Sequence, residues 1–383
     1  MKVERVALFG LDFPNIVNQI VGLRDGFRQL GVEVLTAWPH PNALTLENVL
    51  DSFRPDFVFE INRSRNQIPD CRETFRHVCW MQDYQSQGQR LDADFGGSDL
   101  SYFIFPPSAM SHSAALDATA RYLLPATDPA IYAFAVEQPI FDFSFIGQML
   151  APIPDSVRGR AIVVNGVDCG TVGQLLDIFA AEGVSQSSHM MADTRDRLVR
   201  FVRERCPDAD VSMIDPAVRI FFDDYYPRVT ERTRMLDTVL DVSSKVGFFG
   251  TGPWDKWPRY HPHFGGYIHR PSKMALVFRR TKLNLHNGNF AMHTRVLDGM
   301  AAGGAMMVNK TLWAGTPFGL DAYFEPGRHY IEYDFDNLAE VAVEVLADEA
   351  RRRSIGAAAA DAVRAGHTWR DRAAQIIEDA RAL

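Results

Sequence analysis

The sequence predicts an α/β protein built from two Rossmann-like units, and three observations carry that expectation. Short apolar runs alternate with helical patterns through the first 130 residues, a second series of the same kind starts near residue 140, and a chain of 383 residues can bury two cores of ordinary size. In the first series "RVALFG" reads as a strand and "PNIVNQIVGLRDGFRQLG" as a helix ended by Gly31. "VEVLTAW" is the next strand, "TLENVLDSF" a helix, and "PDFVFEI", "HVCWMQD" and "LSYFIFP" are further strands. Strands joined by helices run parallel, and ligands gather at their carboxyl ends. That rule puts Gly10, Leu11, Asp12, Glu60, Asn62, Gln82 and Asp83 on one rim.

The second series opens with the strand "FDFSFIG", which ends at Gly147, followed by "RGRAIVVNGV" as a further strand candidate. Two charged helices come next, "DTRDRLVRFVRERC" and "TERTRMLDTVLDVSS", then the strand "KVGFFGTG" and the strand-turn "GGYIH". The helix "SKMALVFRRT" and the strand "KLNLH" precede a glycine-rich segment described below, and "WRDRAAQIIEDARAL" is a last helix. The expected division is 1–135, 136–365, and a terminal helix over 366–383 that crosses back to the first domain.

Composition narrows the function. The chain is 46% hydrophobic and 23% charged with a formal net charge of -8, which disfavours a nucleic-acid binder working through phosphate neutralisation. Cys71, Cys79, Cys169 and Cys206 form no CxxC pair, so reduced thiols are expected. "MKVERVALFG" breaks at Gly10 like a strand rather than a signal peptide, and no window approaches the roughly 20 apolar residues of a membrane span. A cytoplasmic, soluble chain is the expectation. Neither a GxSxG elbow nor a GxGxxG fingerprint occurs, which argues against an elbow hydrolase and against nicotinamide chemistry. His261 and His263 lie in an aromatic, proline-rich stretch that reads as an ordered loop, so no metal and no cofactor are expected.

The informative segment is "HTRVLDGMAAGGAMMVNK", residues 293–310. It reads as a helix from Arg295 to Ala302 with Thr294 as N-cap, stopped by Gly303 and Gly304, then a buried strand. The helix N-terminus points at the carboxyl rim, where free N–H groups and Arg295 suit a pyrophosphate. Asp298, about one turn in, suits a ribose diol at a ligand rim. An acidic residue near a helix start is also common for dipole reasons alone.

The ordered pieces "YLLPATDPAIY", "FDFSFIG", "KLNLH", "RVLDGMAAGGAMMVN", "YFEPGRHYIEY" and "HTWRDRAAQII" resemble the CgeB-like, spore-maturation type of glycosyltransferase, with "HVCWMQD" a fainter match. The resemblance covers most of residues 120–383. It implies a GT-B fold, two Rossmann-like domains facing across a cleft. The second would bind a nucleotide-sugar donor and the first a glycan, protein or small-molecule hydroxyl acceptor, without metal. The family usually carries Glu where Asp298 stands, and many related retaining enzymes carry another at the position of Phe290.

Further candidates follow from position. Gly147 and Gly250 end strands and permit close backbone approach to a donor, and Tyr267 and Ile268 of "GGYIH" suit a nucleobase. Lys273, Arg279 and Arg280 are cations available to diphosphate or to a solvated helix face. His293 stands beside the helix start as a sugar or phosphate contact, and Asp12 and Asp83 are the candidates for an acceptor base. The reading is a glycosyltransferase. Two other readings compete: an inactive nucleotide-sugar-binding scaffold and a nucleotide-sugar epimerase.

Overall fold

Each apolar run of the first series becomes a strand of one parallel sheet in the computed structural model, which describes residues 2–68, 75–83, 85–86, 89–90, 94–110, 116–118, 120–183 and 190–382. Cys71 lies outside the described residues. The chain forms two units: residues 1–130 with 362–383, and residues 131–361.

Unit 1 contains β1 (Arg5–Phe9), α1 (Pro14–Gln29), β2 (Glu33–Ala37), α2 (Ala43–Ser52), β3 (Phe57–Ile61) and β4 (His77–Met81). A two-residue ribbon, β5 (Gln85–Ser86) and β6 (Gln89–Arg90), precedes β7 (Leu100–Phe103) and β8 (Arg121–Tyr122). The six-stranded sheet has the order β2-β1-β3-β4-β7-β8, parallel throughout. Gly31, at φ +80°, takes the left-handed conformation that turns the chain from α1 into β2.

The chain's last helix, Trp369–Arg381, belongs to this unit and packs on α1. Gly22 and Gly26, one turn apart on α1, make that approach possible. A methyl at Gly22 would lie 2.3 Å from the Trp369 ring, and one at Gly26 would lie 2.4 Å from the Trp369 carbonyl oxygen. Trp369 meets Trp80 edge to face, with centroids 6.4 Å apart. The buried Arg372 adds donors to the carbonyls of Leu124 and Pro125. This helix is therefore part of the unit's core.

Unit 2 is organised around β9 (Phe141–Ile146). An insertion follows: the antiparallel hairpin β10 (Ala161–Val164) and β11 (Val167–Thr171), then α3 (Val172–Ala181), α4 (Met190–Arg205) and α5 (Pro216–Ile220). "RGRAIVVNGV" is thus one strand and the turn of a hairpin. Asn165 and Gly166, at φ 52° and 78°, supply the positive angles a tight hairpin turn demands. The insertion has its own core, which includes Ile162, Leu175, Phe179, Phe201 and Phe222.

The main sheet continues with α6 (Tyr226–Val242), β12 (Val246–Phe249), α7 (Pro271–Arg279), β13 (Thr281–His286), α8 (Thr294–Ala301), β14 (Met306–Asn309) and β15 (Ile331–Tyr333). Then come α9 (Leu338–Ala347) and α10 (Glu349–Gly366), which leads to the terminal helix α11 already described. The order β12-β9-β13-β14-β15 is again parallel throughout. "GGYIH" is not a strand. It runs beside the end of β12, where Gly265 N–H donates to the Phe248 carbonyl at 2.8 Å and Gly250 N–H to that of Gly266 at 3.1 Å.

Candidate functional site

In unit 2 the segments leaving β9 and β12 are joined by backbone hydrogen bonds, and those leaving β13 and β14 by the buried Asn309. Gly147 and Met149 donate to the carbonyls of Phe249 and Thr251 at 2.8 and 2.9 Å, so the segments leaving β9 and β12 lie against each other. A methyl on Gly250, at φ +127°, would fall 1.9 Å from the Gly147 carbonyl oxygen. Packing between these two segments is sufficient reason for glycine at 250. Gly147 has a second role, because a methyl there would lie 2.9 Å from the Arg295 guanidinium.

The helix start differs from the expected one. His293, rather than Thr294, is the N-cap: its Nδ1 accepts the Arg295 N–H at 3.1 Å, and Thr294 is the first helical residue. An imidazole nitrogen lone pair can fill the same role as a hydroxyl oxygen. With Nδ1 accepting, the neutral ring carries its proton on Nε2. Burial, with Arg295, His286 and Arg232 nearby, holds the His293 pKa well below 6.5, so the ring offers a neutral N–H. His286, 5.3 Å away between centroids, is pushed down to about 3 by burial and by Arg295.

Two arginines meet at this end of the sheet. The half-buried Arg295 donates to the Ile146 carbonyl, and Arg232, 5% exposed on α6, donates to that of Gln148. Among the described residues neither forms an ion pair, and the Nε of Arg232 has no hydrogen-bond partner. Burial lowers their pKa values to about 9 for Arg232 and about 10 for Arg295, so both remain cations at neutral pH. Carbonyl partners provide only partial negative charge. The rim is therefore electropositive and keeps donor capacity.

Asp298 is 4% exposed, not on an open rim. Because α8 starts at Thr294, its carboxylate sits past the first turn, where the helix dipole has faded. Its charge interacts favourably with Arg295. Tyr267 is 39% exposed, with its ring edge-on to His269 at 4.4 Å, and Ile268 is half-buried. Arg279 and Arg280 engage Glu137, and Arg279 also donates to the Ala133 carbonyl at 3.0 Å. They fasten the segment that opens unit 2.

In unit 1, Asp12 is exposed after β1, and Asp83 is exposed after β4, with β3 between those strands. Asn62, at φ 62° and buried, donates to Asp83 Oδ2 at 3.0 Å and accepts the N–H groups of Gln82 and Asp83. Glu60 is fully buried against Arg63, with His77 Nε2 at 3.3 Å and His40 Nδ1 at 3.7 Å. Burial alone would raise its carboxyl, but Arg63, His40 and His77 hold it well below the usual range.

In sequence, Arg232 and its neighbour Glu231 look like ordinary members of a charged helix. A signal was present: Arg232 shares a face with Met235, Leu236 and Val239, at steps of three, four and seven.

Residues 231–378 match a family model described as glycosyl transferase-like. No curated protein matches the sequence. A sucrose-phosphate synthase from Thermosynechococcus elongatus is similar in structure, at 12% identity over 99% of this chain and 98% of the other, with a TM-score of 0.52. A glycosyltransferase from Rickettsia africae also matches, at 9% identity over 100% of this chain and 99% of its own, with a TM-score of 0.49. The parallel sheets of both units agree with the GT-B fold. Among the described residues no helix is long and apolar enough to cross a membrane.

Proposed function

We propose that this chain, a glycosyltransferase with the GT-B fold, takes its sugar from a nucleoside diphosphate bound at the carboxyl rim of the unit 2 sheet and delivers it to a hydroxyl acceptor. The observation that carries the reading is the pair Arg232 and Arg295, held on carbonyl oxygens beside the start of α8. Departure of a diphosphate builds negative charge on its oxygens, and fixed cations with free N–H groups stabilise that charge without reorganising. His293 supplies a neutral Nε2–H to a sugar or phosphate oxygen, Asp298 accepts from the ribose, and Tyr267 with Ile268 lines the base. Asp12 and Asp83 are the proposed acceptor-side groups, and Asp83 has the better-defined orientation because Asn62 holds it. The finer assignment, to the CgeB-like group, rests on the ordered motifs of the second half.

The test is a comparison of nucleoside diphosphates with their nucleosides by thermal shift and calorimetry. Arg295→Ala should weaken diphosphate binding by about 10- to 100-fold, the value of one charge-assisted contact, and leave nucleoside binding nearly unchanged. Equal weakening of both ligands would remove Arg295 from the diphosphate site.

A further inference from the structure

Glu231 precedes Arg232 on α6 and is only 6% exposed. Its Oε2 accepts a hydrogen bond from Asn287 Nδ2 at 3.0 Å. Asn287 is 2% exposed and is the first residue after β13, where the chain turns toward α8. Two other side chains hold the same turn. Asn309 accepts from the Gly288 N–H at 3.1 Å and donates to the Gly288 carbonyl at 3.0 Å, while Tyr333 OH donates to the His286 carbonyl at 3.0 Å. Asn309 carries no titratable group and Tyr333 is raised well above its usual range, so neither changes charge near neutrality. Glu231 is placed differently.

The charged and titratable groups facing Glu231 are Arg228, Arg232 and Arg234 on its own helix and Tyr333 on β15. Beyond Arg232 lie Arg295, His286 and His293. Burial drives the Glu231 carboxyl up to about 7, against the opposing pull of Asn287 and the three arginines. A diphosphate arriving on Arg232 and Arg295 adds negative charge nearby, and that disfavours the carboxylate further.

Resting on the nucleotide-sugar reading above, we infer that Glu231 is a positioning residue that fixes the β13–α8 turn through Asn287 and takes up a proton when a diphosphate settles on Arg232 and Arg295. The proton comes from solvent and forms an O–H on the carboxylate, and no other bond changes. Donor affinity is then coupled to pH: the donor binds more tightly when Glu231 is protonated. A rise of one pKa unit on binding makes the donor roughly fivefold weaker at pH 8 than at pH 6. The pyrophosphate of a nucleotide sugar is esterified at both ends and does not titrate there. His286 and His293 are held below that window and the arginines above it.

The experiment is titration calorimetry with UDP-, dTDP-, GDP- and ADP-glucose at pH 6, 7 and 8, in pairs of buffers that differ in ionisation enthalpy. Wild type should take up protons at pH 7 with whichever sugar nucleotide binds. Glu231→Gln keeps the shape and an acceptor for Asn287, so it should bind the same donor without that uptake and with nearly flat pH dependence. Wild-type affinity that is flat from pH 6 to 8 overturns the inference without recourse to any variant, and so does equal uptake by Glu231→Gln. Binding without coupled protonation leaves the nucleotide-sugar reading standing and removes only Glu231. Failure of all four donors to bind counts against that reading and takes the inference with it.

Discussion

On the rim of unit 1, Glu60 is fully buried against Arg63, with His77 and His40 on its remaining sides. On the rim of unit 2, Arg232 is buried and Arg295 half-buried against carbonyl oxygens. Both arrangements satisfy hydrogen bonds, yet they leave different charge behind. Arg63 neutralises Glu60 and donates to the Pro41 carbonyl at 2.9 Å, so the group ties β3 to the loop entering α2. In unit 2 the two cations rest on carbonyl oxygens rather than in an ion pair, with Asp298 acting on Arg295 and Glu231 on Arg232 only through longer-range charge. A closed charge pair shapes a loop. An open one attracts an anion.

Glu60→Gln tests the first half of that contrast and should have the largest effect. Removing one member of a buried ion pair costs about 3–5 kcal/mol, because the other charge stays buried. Since the folded carboxyl is held low, its contribution is present above the unfolded carboxylate range and is lost as pH falls through the folded value. Urea unfolding of wild type should therefore weaken on acidification, whereas the variant starts lower and changes less. Diphosphate affinity at pH 7 should be unaffected. A variant as stable as wild type would mean that Glu60 does not hold this rim.

The same contrast explains what could be read from the sequence. The strands of both sheets other than β8 and β15, Gly31, and the stop of α8 at Gly303 (φ +84°) follow from local patterns of apolar runs and glycines, and these patterns survive folding. Asn165–Gly166 is the residue pair of a tight hairpin turn, but reading "RGRAIVVNGV" as one strand runs through it. "GGYIH" has a strand's composition, and its placement beside β12 as irregular chain depends on tertiary contacts that no window shows. The site divides similarly. Arg295 and Asp298 belong to one helix, so spacing relates them. Arg232 and Glu231 reach the rim from α6, and only the fold brings them to Gln148 and Asn287.

Asp298→Asn probes whether the positive rim is shaped for a nucleotide rather than for any anion. At 4% exposure the substitution touches the interior, so thermal unfolding of the free protein has to accompany binding. If the carboxylate accepts from the donor ribose, loss of its charge costs about 1–3 kcal/mol, or tenfold or more in affinity. Inorganic pyrophosphate should bind the variant at least as well as wild type, because the change removes a negative charge near Arg295. A 2′-deoxyribose donor should lose most of the difference between the two proteins. Wild-type affinity of the variant for the ribose donor would leave Asp298 as an internal carboxylate with no part in donor binding.

The smallest effect, and the closest comparison, comes from two glycines that each follow a strand, Gly10 after β1 and Gly147 after β9. A methyl at Gly10 would sit 2.6 Å from Ile16 Cγ2, the β-branch methyl of a buried apolar side chain. At Gly147 it would sit 2.4 Å from the Phe145 ring and 2.9 Å from the Arg295 guanidinium. Overpacking costs about 1–3 kcal/mol in either place. The functional consequences should separate, because only one neighbour belongs to the proposed anion site. Gly147→Ala pushes Arg295 away from the Ile146 carbonyl and should weaken diphosphate binding by about threefold, less than outright loss of the contact. Gly10→Ala should lower stability by a similar amount and leave that affinity unchanged. Equal loss of affinity in both variants would show that general loosening, rather than the position of Arg295, controls binding, and the contrast between the two rims would then fail at its most local point.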